Sequence, residues 1–368
     1  MRILSAVVAS ALLAPTVVLT AYSAHAQSAE RIPLNGNRIS IYNIAGQVRV
    51  TGGGSSASAT VTRRGRDASK LKIANGNIDG RESLRIIYPD DRVTIASDRD
   101  RHFRTEFRVR ADGTFGSMGD ARSDKHSRSR LGSDRSGHNI RVSDDRGGLE
   151  ASADIEVQVP NGVSVRVNLG AGEIVVNNVN GDLAVDAQSA NLSVSDVKGV
   201  VDLEVGSGHS DIVNITGSIM LDAGSGNVVA RNLNGPAISL ETGSGTVTVD
   251  GCSGEKMTFD TGSGGLRLTA VRGRTISLDT GSGSVSLALL STPDLITVDS
   301  GSGNVTLTLP SNYAASLHVE TGSGRVQSDF PVQLTSKSRD QMIGRIGTGG
   351  GRLTIDTGSG SVRLLKGN

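Results

Sequence analysis

The feature that most constrains this chain is a tripeptide, Gly-Ser-Gly, that returns at nearly constant spacing through its second half. The intervals between successive copies are 18, 19, 19, 19, 20, 21 and 36 residues, and the last interval is about two periods. A near-match starts at Gly170 and a degenerate copy starts at Gln188. A fixed period of about 20 residues is typical of solenoid folds. The eight copies begin at Gly206, Gly224, Gly243, Gly262, Gly281, Gly301, Gly322 and Gly358.

The residues on both sides of the tripeptide alternate between apolar and polar, which is the pattern of a half-buried strand. Ile276 and Leu278 alternate before the turn at Gly281, and Val285 and Leu287 alternate after it. A second glycine-bearing turn separates consecutive units. The pattern predicts an all-β chain, a parallel β-helix or β-solenoid of about 10 coils with 18–21 residues each, over residues 168–368.

The composition agrees with such a coil, because the chain has 48 glycines in 368 residues and only 2% aromatic residues. A narrow interior favours Val, Ile and Leu over rings, and sharp corners favour glycine, which accepts positive φ and close backbone approach. The single cysteine, Cys252, stands where neighbouring coils have Leu233 and Val271. We therefore interpret it as a small buried apolar residue rather than a reactive thiol.

The N-terminus predicts export. Arg2 precedes an uncharged, mostly apolar stretch over residues 3–20, and an Ala-His-Ala sequence ends at Ala26. This arrangement is typical of a secretory signal peptide, here residues 1–26, and the mature chain would begin near Gln27. No later stretch of about 20 apolar residues follows, so we expect no transmembrane span in the mature chain and a periplasmic or extracellular location.

Residues 27–167, ahead of the repeats, are predicted to be rich in β-structure but without a period. Alternating stretches such as Leu84-Arg85-Ile86 indicate strands, and we expect this N-terminal region to cap one end of the solenoid. Inside it, residues 98–148 are rich in Arg, Asp, Ser and Gly and poor in apolar residues. That composition predicts a long mobile loop.

These features together resemble the bacterial adhesin-like family of exported β-solenoid proteins, whose coils repeat strand, Gly-Ser-Gly, strand. The resemblance is carried by residues 39–46 (Ile-Ser-Ile-Tyr-Asn-Ile-Ala-Gly), by the Asp-Thr-Gly-Ser-Gly units and by the closing segment 346–360. It covers nearly all of the mature chain apart from the Arg-rich loop. It implies an interaction role in the cell envelope or outside the cell, with no catalytic residues and no cofactor.

One acidic residue precedes each Gly-Ser-Gly turn by two positions. Stacked coils would align these carboxylates in an outward column of like charges, which is unfavourable unless it is solvated or neutralised. One hypothesis is a row of weak divalent-cation sites, and the other is that each carboxylate accepts hydrogen bonds from the N–H groups of its own turn. The mixture of Asp and Glu favours the second. The column comprises Asp186, Glu204, Asp222, Glu241, Asp260, Asp279, Asp299, Glu320 and Asp356, and the cation hypothesis centres on Asp222, Glu241, Asp260, Asp279 and Asp299.

The Arg-rich loop is a second candidate site, because a basic cluster attracts phosphate-bearing polymers. Interleaved acidic residues and a net charge of +1 favour a solvated linker instead, and no nucleic-acid partner is expected. The candidate polyanion-binding residues are Arg122, Lys125, Arg128, Arg130 and Arg135.

An enzyme is the alternative from another class, because parallel β-helices also carry polysaccharide-cleaving sites. Such sites need a cluster of carboxylates that breaks the repeat, usually beside aromatic platforms for sugars, and this chain has no Trp. We therefore predict a non-catalytic interaction protein whose ligand is a protein or polysaccharide of the envelope or cell surface. An open C-terminal coil near Leu364 could also pair with a second copy of the chain.

Overall fold

The computed structural model describes residues 29–95, 103–116 and 137–367, and in these residues one 3-10 turn at Ala68–Lys70 is the only helical segment. The prediction of an all-β parallel solenoid is confirmed. The first strands are β1 (Ala29–Pro33), β2 (Arg38–Gly52), β3 (Ser58–Arg64), β4 (Lys72–Ile78), β5 (Arg81–Ile87), β6 (Arg92–Thr94), β7 (Arg104–Val109), β8 (His138–Ser143) and β9 (Ser152–Val159). The strands of the coils are β10 (Ser164–Asn177), β11 (Leu183–Lys198), β12 (Val201–Ser207), β13 (Ser210–Thr216), β14 (Ile219–Ser225), β15 (Val228–Asn234), β16 (Ala237–Ser244), β17 (Val247–Thr261) and β18 (Leu266–Thr280). The last strands are β19 (Val285–Leu289), β20 (Leu295–Ser300), β21 (Val305–Leu309), β22 (Ala315–Thr321), β23 (Val326–Ser328), β24 (Val332–Lys337), β25 (Gln341–Ile346), β26 (Gly351–Thr357) and β27 (Val362–Lys366).

The core is a stack of parallel coils in which equivalent residues lie directly above one another. Inward-facing side chains form continuous ladders, because neighbouring strands lie about 4.8 Å apart. Burying each aliphatic side chain stabilises the fold by roughly 1.5–3 kcal/mol. One ladder of buried residues runs through eleven coils in the spatial order Ile39, Val165, Leu183, Val201, Ile219, Ile238, Met257, Ile276, Ile296, Leu353 and Leu317.

The first coil of the stack comes from β2, well ahead of the glycine-rich repeats. It pairs in parallel with β10, from Arg38 opposite Ser164 to Thr51 opposite Asn177. The stack therefore starts at Arg38, and the division at residue 168 that the repeats suggest does not coincide with its start. The period is hidden in the sequence because residues 53–163 are inserted between the first coil and the second.

Part of that insertion caps the outer side of the first coil. β5 and β9 pair with the two halves of β2 in parallel. β4 then pairs antiparallel with β5, and β3 pairs antiparallel with both β9 and β1. Because antiparallel strands do not continue the direction of the coils, they end the repeat at this side.

The rest of the insertion includes a three-stranded sheet of β6, β8 and β7. Two of these strands, β7 and β8, lie within residues 98–148, so the prediction of a mobile loop is wrong for them. Aromatic contacts join this part of the chain to the first coil. The ring centroids of Phe107 and Phe115 are 5.1 Å apart, and those of Phe115 and Tyr42 are 5.9 Å apart.

At the other end of the molecule the coils do not stack in chain order. The last coil of the chain, β26 and β27, lies between the coil of β20 and β21 and the coil of β22 and β23. The 36-residue interval that resembles two periods therefore contains no further coil of its own. Instead, β24 and β25 form an antiparallel pair, β25 pairs antiparallel with β22, and the chain then returns into the stack.

This arrangement changes which residues lie at the end of the solenoid. Leu364 is fully buried and pairs with Leu307 on one side and Ser328 on the other, so the C-terminal coil is an internal layer. On the half of the coil that contains β22 the outermost strand is β24, whose pairing is interrupted between Leu334 and Ser336 and which ends at Lys337. Bulges and lysines are common ways to protect an exposed sheet edge.

Each coil has two corners, and the first is the Gly-Ser-Gly turn. Glycine is required there chiefly because the backbones of successive coils approach closely. A Cβ atom at Gly264 would overlap the carbonyl oxygen of Gly245, and one at Gly283 would overlap that of Gly264. The interior is not limited to aliphatic side chains, however. Phe259 is fully buried between Leu240 and Leu278, so the coil accommodates one ring where the sequence predicted little room.

Candidate functional site

The acidic column predicted from the sequence is present, and its members are direct neighbours in the strand register. Its spatial order differs from its chain order, because the threaded last coil places Asp356 between Asp299 and Glu320. With a spacing of about 4.8 Å per coil, nine carboxylates span about 38 Å. The order along the stack is Asp186, Glu204, Asp222, Glu241, Asp260, Asp279, Asp299, Asp356 and Glu320.

The environment of the column varies along its length. Asp186 is fully buried beneath Gly116, so the first carboxylate is covered by the inserted segment. In the middle, burial and then the charge of Asp299 raise the pKa of Asp279. At the far end, hydrogen bonds from Gln341 (2.5 Å) and His318 (3.0 Å) lower the pKa of Glu320.

The N–H groups of the turns are largely bonded to groups other than these carboxylates. The N–H of Gly264 donates to the hydroxyl of Thr261 at 3.0 Å, and the N–H of Gly262 donates to the carbonyl of Thr242 in the preceding coil at 3.1 Å. The same hydroxyl bond recurs in the turns that start at Gly281, Gly301, Gly322 and Gly358. The expectation that the carboxylates accept the turn N–H bonds is therefore wrong for the last glycine of these turns.

The hydroxyls that hold these turns form an inward column that the sequence analysis did not identify. Thr261 also donates to the carbonyl of Gly245 at 2.9 Å, so one buried hydroxyl joins its own turn to the coil before it. The signal was present as the Thr of each Asp-Thr-Gly-Ser-Gly unit. The members are all buried, and in spatial order they are Thr242, Thr261, Thr280, Ser300, Thr357 and Thr321.

The structure describes the residues of the predicted cation row but not those of the predicted polyanion site. Arg122, Lys125, Arg128, Arg130 and Arg135 lie outside the described residues. Within the described ranges, no group of three or more His, Cys, Asp or Glu side chains is arranged to hold a metal ion. The cation row and the polyanion site both stay predictions.

Cys252 lies in the interior, as the sequence predicts. It is 2% exposed, and its Sγ lies 3.5 Å from the Sδ of Met257. Burial raises the pKa of the Cys252 thiol to about 12, so the thiolate is not formed at neutral pH. This residue is part of the apolar ladder and not a nucleophile.

The second corner of the coil, which separates consecutive repeat units, has residues other than glycine in the left-handed backbone conformation. Six successive coils place a residue there with φ between 54° and 78°, and four of these residues are Asn or Asp. Their side chains hydrogen-bond along the stack, from Asn214 Nδ2 to Asp196 Oδ1 at 2.9 Å and from Asn232 Nδ2 to Asn214 Oδ1 at 3.0 Å. We name these residues the corner row, and they are Asn178, Asp196, Asn214, Asn232, Gly251 and Ala270.

Sequence reasoning missed the corner row because it assigned the turn to the glycine three positions later. Asn and Asp tolerate the left-handed conformation better than other residues with a Cβ atom. The detectable signal was therefore an Asn or Asp repeated three residues before the second-turn glycine, as in Asn214 before Gly217 and Asn232 before Gly235.

Two depressions of the surface follow the corner row and meet at Asn232. One, of about 430 Å³, is lined by Asn178, Asp196, Lys198, Asn214, Thr216 and Asn232. The other, of about 410 Å³, is lined by Asn232, Leu233, Asn234, Asp250, Gly251, Cys252, Ser253, Ala270 and Arg272. We call their union the corner groove.

A search of the curated proteins finds no match. A crystal structure of a "putative cell adhesion protein" from Clostridium sporogenes is similar over 92% of this chain and 99% of that one, at 10% identity. Its TM-score of 0.20 is too low to inform the fold or the function. No helix of the described residues is long and apolar enough to cross a membrane. The family model named Toastrack DUF4097 matches residues 90–365, three quarters of the sequence, and the chain belongs to that family.

Proposed function

We propose that this protein is an exported, non-catalytic, adhesin-like β-solenoid that binds a ligand of the cell envelope or cell surface. The observation that carries the proposal is the repetition of surface side chains at one coil spacing, in the acidic column and in the corner row. A surface that repeats every 4.8 Å or so suits an extended partner with a repeat of its own.

Export is supported by the residues at the N-terminus. The charge at Arg2, the uncharged apolar stretch over residues 3–20 and the Ala-His-Ala sequence form a secretory signal pattern, although this segment lies outside the described residues. A periplasmic or extracellular location follows from that pattern.

A binding role is favoured over catalysis by the placement of the carboxylates. A glycosidase pair consists of two acids that face each other on either side of a substrate bond. In the acidic column the acids instead repeat at one position of the coil. The environments of these acids vary along the column, but all of them belong to one row, and the buried Asp186 is covered by the segment at Gly116.

The test is fractionation of the native cell combined with protease treatment of intact cells, followed with an antibody to the whole chain. We expect a mature protein that begins near Gln27, is found in the envelope or medium, and supports attachment to cells or to purified envelope polymer. A cytoplasmic and a periplasmic marker serve as controls for leakage and for access of the protease. Recovery of an unprocessed chain in the cytoplasm would refute the proposal.

A further inference from the structure

The corner groove, which runs along the stack between two rows of outward side chains, is the strongest candidate for a ligand site. One side is the corner row, and the other side consists of the residues two positions further along each strand. These align in the register as Lys198, Thr216, Asn234, Ser253 and Arg272. Between the rows, the side chains of Val197 and Leu233 point into the core and are buried, so the floor of the groove is backbone.

The groove changes character halfway along its length. From Asn178 to Asn232 the corner row presents amides and a carboxylate. At Gly251 and Ala270 the corner row has no side chain or only a methyl group, so the groove is wider there, over the backbone of Leu233 and Cys252. A depression with a few convergent polar groups is typical of a ligand site.

The two carboxylates that line the groove are each hydrogen-bonded to the next coil, whereas its two cations are not paired with any residue that the structure describes. The carboxylate of Asp196 already accepts from Asn214, and that of Asp250 accepts from Thr269 at 2.8 Å. Lys198 and Arg272 are exposed, and neither forms an ion pair with the described residues. The two cations lie four coil steps apart, about 19 Å.

We propose that the corner groove binds an acidic linear polysaccharide in an extended conformation. Carboxylate groups of the polymer contact Lys198 and Arg272, and the planar guanidinium of Arg272 matches a carboxylate through two parallel hydrogen bonds. Hydroxyl groups of the sugars bond to the amides of Asn214, Asn232 and Asn234 between the two cations. This inference rests on the proposed function and names its ligand class.

An extended peptide is a poorer occupant of the same groove. Peptides that add to a sheet need a free edge of backbone N–H and C=O groups. At this corner the backbone groups are bonded to the next coil, as with Gly181 N to Lys198 O at 2.9 Å and Gly217 N to Asn234 O at 2.9 Å. The groove therefore offers side chains to a ligand, and sugars recognise side-chain amides, hydroxyls and cations.

The test is calorimetric titration of the mature protein with oligosaccharides of alginate, which are acidic, and of dextran, which are neutral. We expect alginate to bind with an affinity that falls as salt rises, and dextran to bind much more weakly. R272Q and K198Q are each expected to weaken alginate binding about tenfold. N232G removes the central amide while keeping the positive φ, and it should also weaken binding.

The matched control is R267Q, which removes the same charge from the same strand outside the groove. Loss of binding in R267Q equal to that in R272Q would mean non-specific attraction and would overturn the proposal. So would binding of dextran as tight as that of alginate, or no binding of either. If envelope location and attachment persist while R272Q and K198Q bind as the parent does, this inference fails and the proposed function stands.

Discussion

Removing the last coil of the chain, residues 348–368, tests the order in which the coils stack. In a solenoid that stacks in chain order, this truncation would remove only the outermost layer. Here β26 is the layer between β20 and β22, and β27 is the layer between β21 and β23. The truncation therefore removes an internal layer and leaves two coils without the partner between them.

The magnitude follows from the side chains that the coil buries. Leu353, Ile355, Val362 and Leu364 are each fully buried. At roughly 1.5–3 kcal/mol for each side chain, the coil contributes about 6–12 kcal/mol of apolar burial, which is an upper value because the unfolded chain also buries some surface. That amount is comparable with the whole stability of an ordinary domain.

The assay is hydrogen exchange of the truncated and the parent chain, read by peptide mass. Because stability in a solenoid is mainly local, we expect the coils from β10 to β18 to keep their protection. β23 should lose its protection, since the truncation takes away its parallel partner β27, whereas β22 should lose only part of its protection because it keeps its antiparallel pairing with β25. β20 and β21 should exchange faster for the same reason.

Paired cysteines give an independent readout of the same order. Asp299 and Asp356 are direct neighbours, about 4.8 Å apart, whereas Asp299 and Glu320 are two layers apart, about 9.6 Å. Disulfides need Cα separations of about 4.4–6.8 Å, so D299C/D356C should cross-link and the control D299C/E320C should not. The native Cys252 is buried and does not interfere. Cross-linking of the control pair in place of D299C/D356C would refute the threaded order.

Four substitutions test other parts of the structure by thermal and urea unfolding. D279N should stabilise the protein by about 0.2–1 kcal/mol at pH 7 and low salt, because like charges directly opposite are unfavourable. Burial and the charge of Asp299 raise the pKa of Asp279, so the folded protein favours the neutral carboxyl. The stability of the parent protein that comes from this group is therefore present at acid pH and is lost as pH rises through the folded pKa of Asp279. F259A should cost about 3–5 kcal/mol through the cavity it leaves in the interior. G264A should cost about 1–3 kcal/mol or more, because its Cβ overlaps the backbone of the preceding coil. A270G should stabilise by about 0.5–1 kcal/mol, because Ala270 has a φ of 54°.

Each of these expectations has an opposing result. A stabilisation by D279N that is the same at pH 3 and in 1 M salt would show that charge repulsion is not its cause. A tolerated F259A or G264A would mean that the coils relax more than their packing indicates. If A270G lowers stability, the conformational entropy that glycine adds to the unfolded chain outweighs the strain that is removed when Ala270 no longer has to adopt a positive φ.

The period, the strand pattern and the acidic column could be predicted because each depends on residues within one coil. The order of the coils could not, because the competing partners carry the same residues. The coil that contains Asp356 and the coil that contains Glu320 both present an acid, a threonine and Gly-Ser-Gly to their neighbours. Either could stack on Asp299 by local chemistry alone. The order of the two coils depends on the antiparallel pairing of β25 with β22. Because β25 occupies one edge of β22, that edge is closed to a further coil.

The same reasoning explains why the first coil was hidden and the corner groove was missed. β2 has an apolar pattern like that of β10, but 111 residues separate the two strands and no Gly-Ser-Gly marks the first. The groove depends on two rows of side chains two positions apart, such as Asp196 and Lys198. A repeat defined by its glycines draws attention to the turns, whereas a binding surface consists of the residues that vary between them.

The geometry of the corner also limits the kind of ligand that can use all of the groove. The spacing between successive groups is set by backbone hydrogen bonds at about 4.8 Å, and no side-chain substitution changes it. A compact ligand therefore contacts one or two coils, whereas an extended polymer contacts each coil in turn and gains affinity with length. Binding to the corner groove should therefore strengthen as the oligosaccharide becomes longer. The affinity should level off once the oligosaccharide reaches from Lys198 to Arg272, a distance of about 19 Å. Titrations with alginate oligomers of increasing length measure this directly, and an affinity independent of length would contradict a site that extends across the coils.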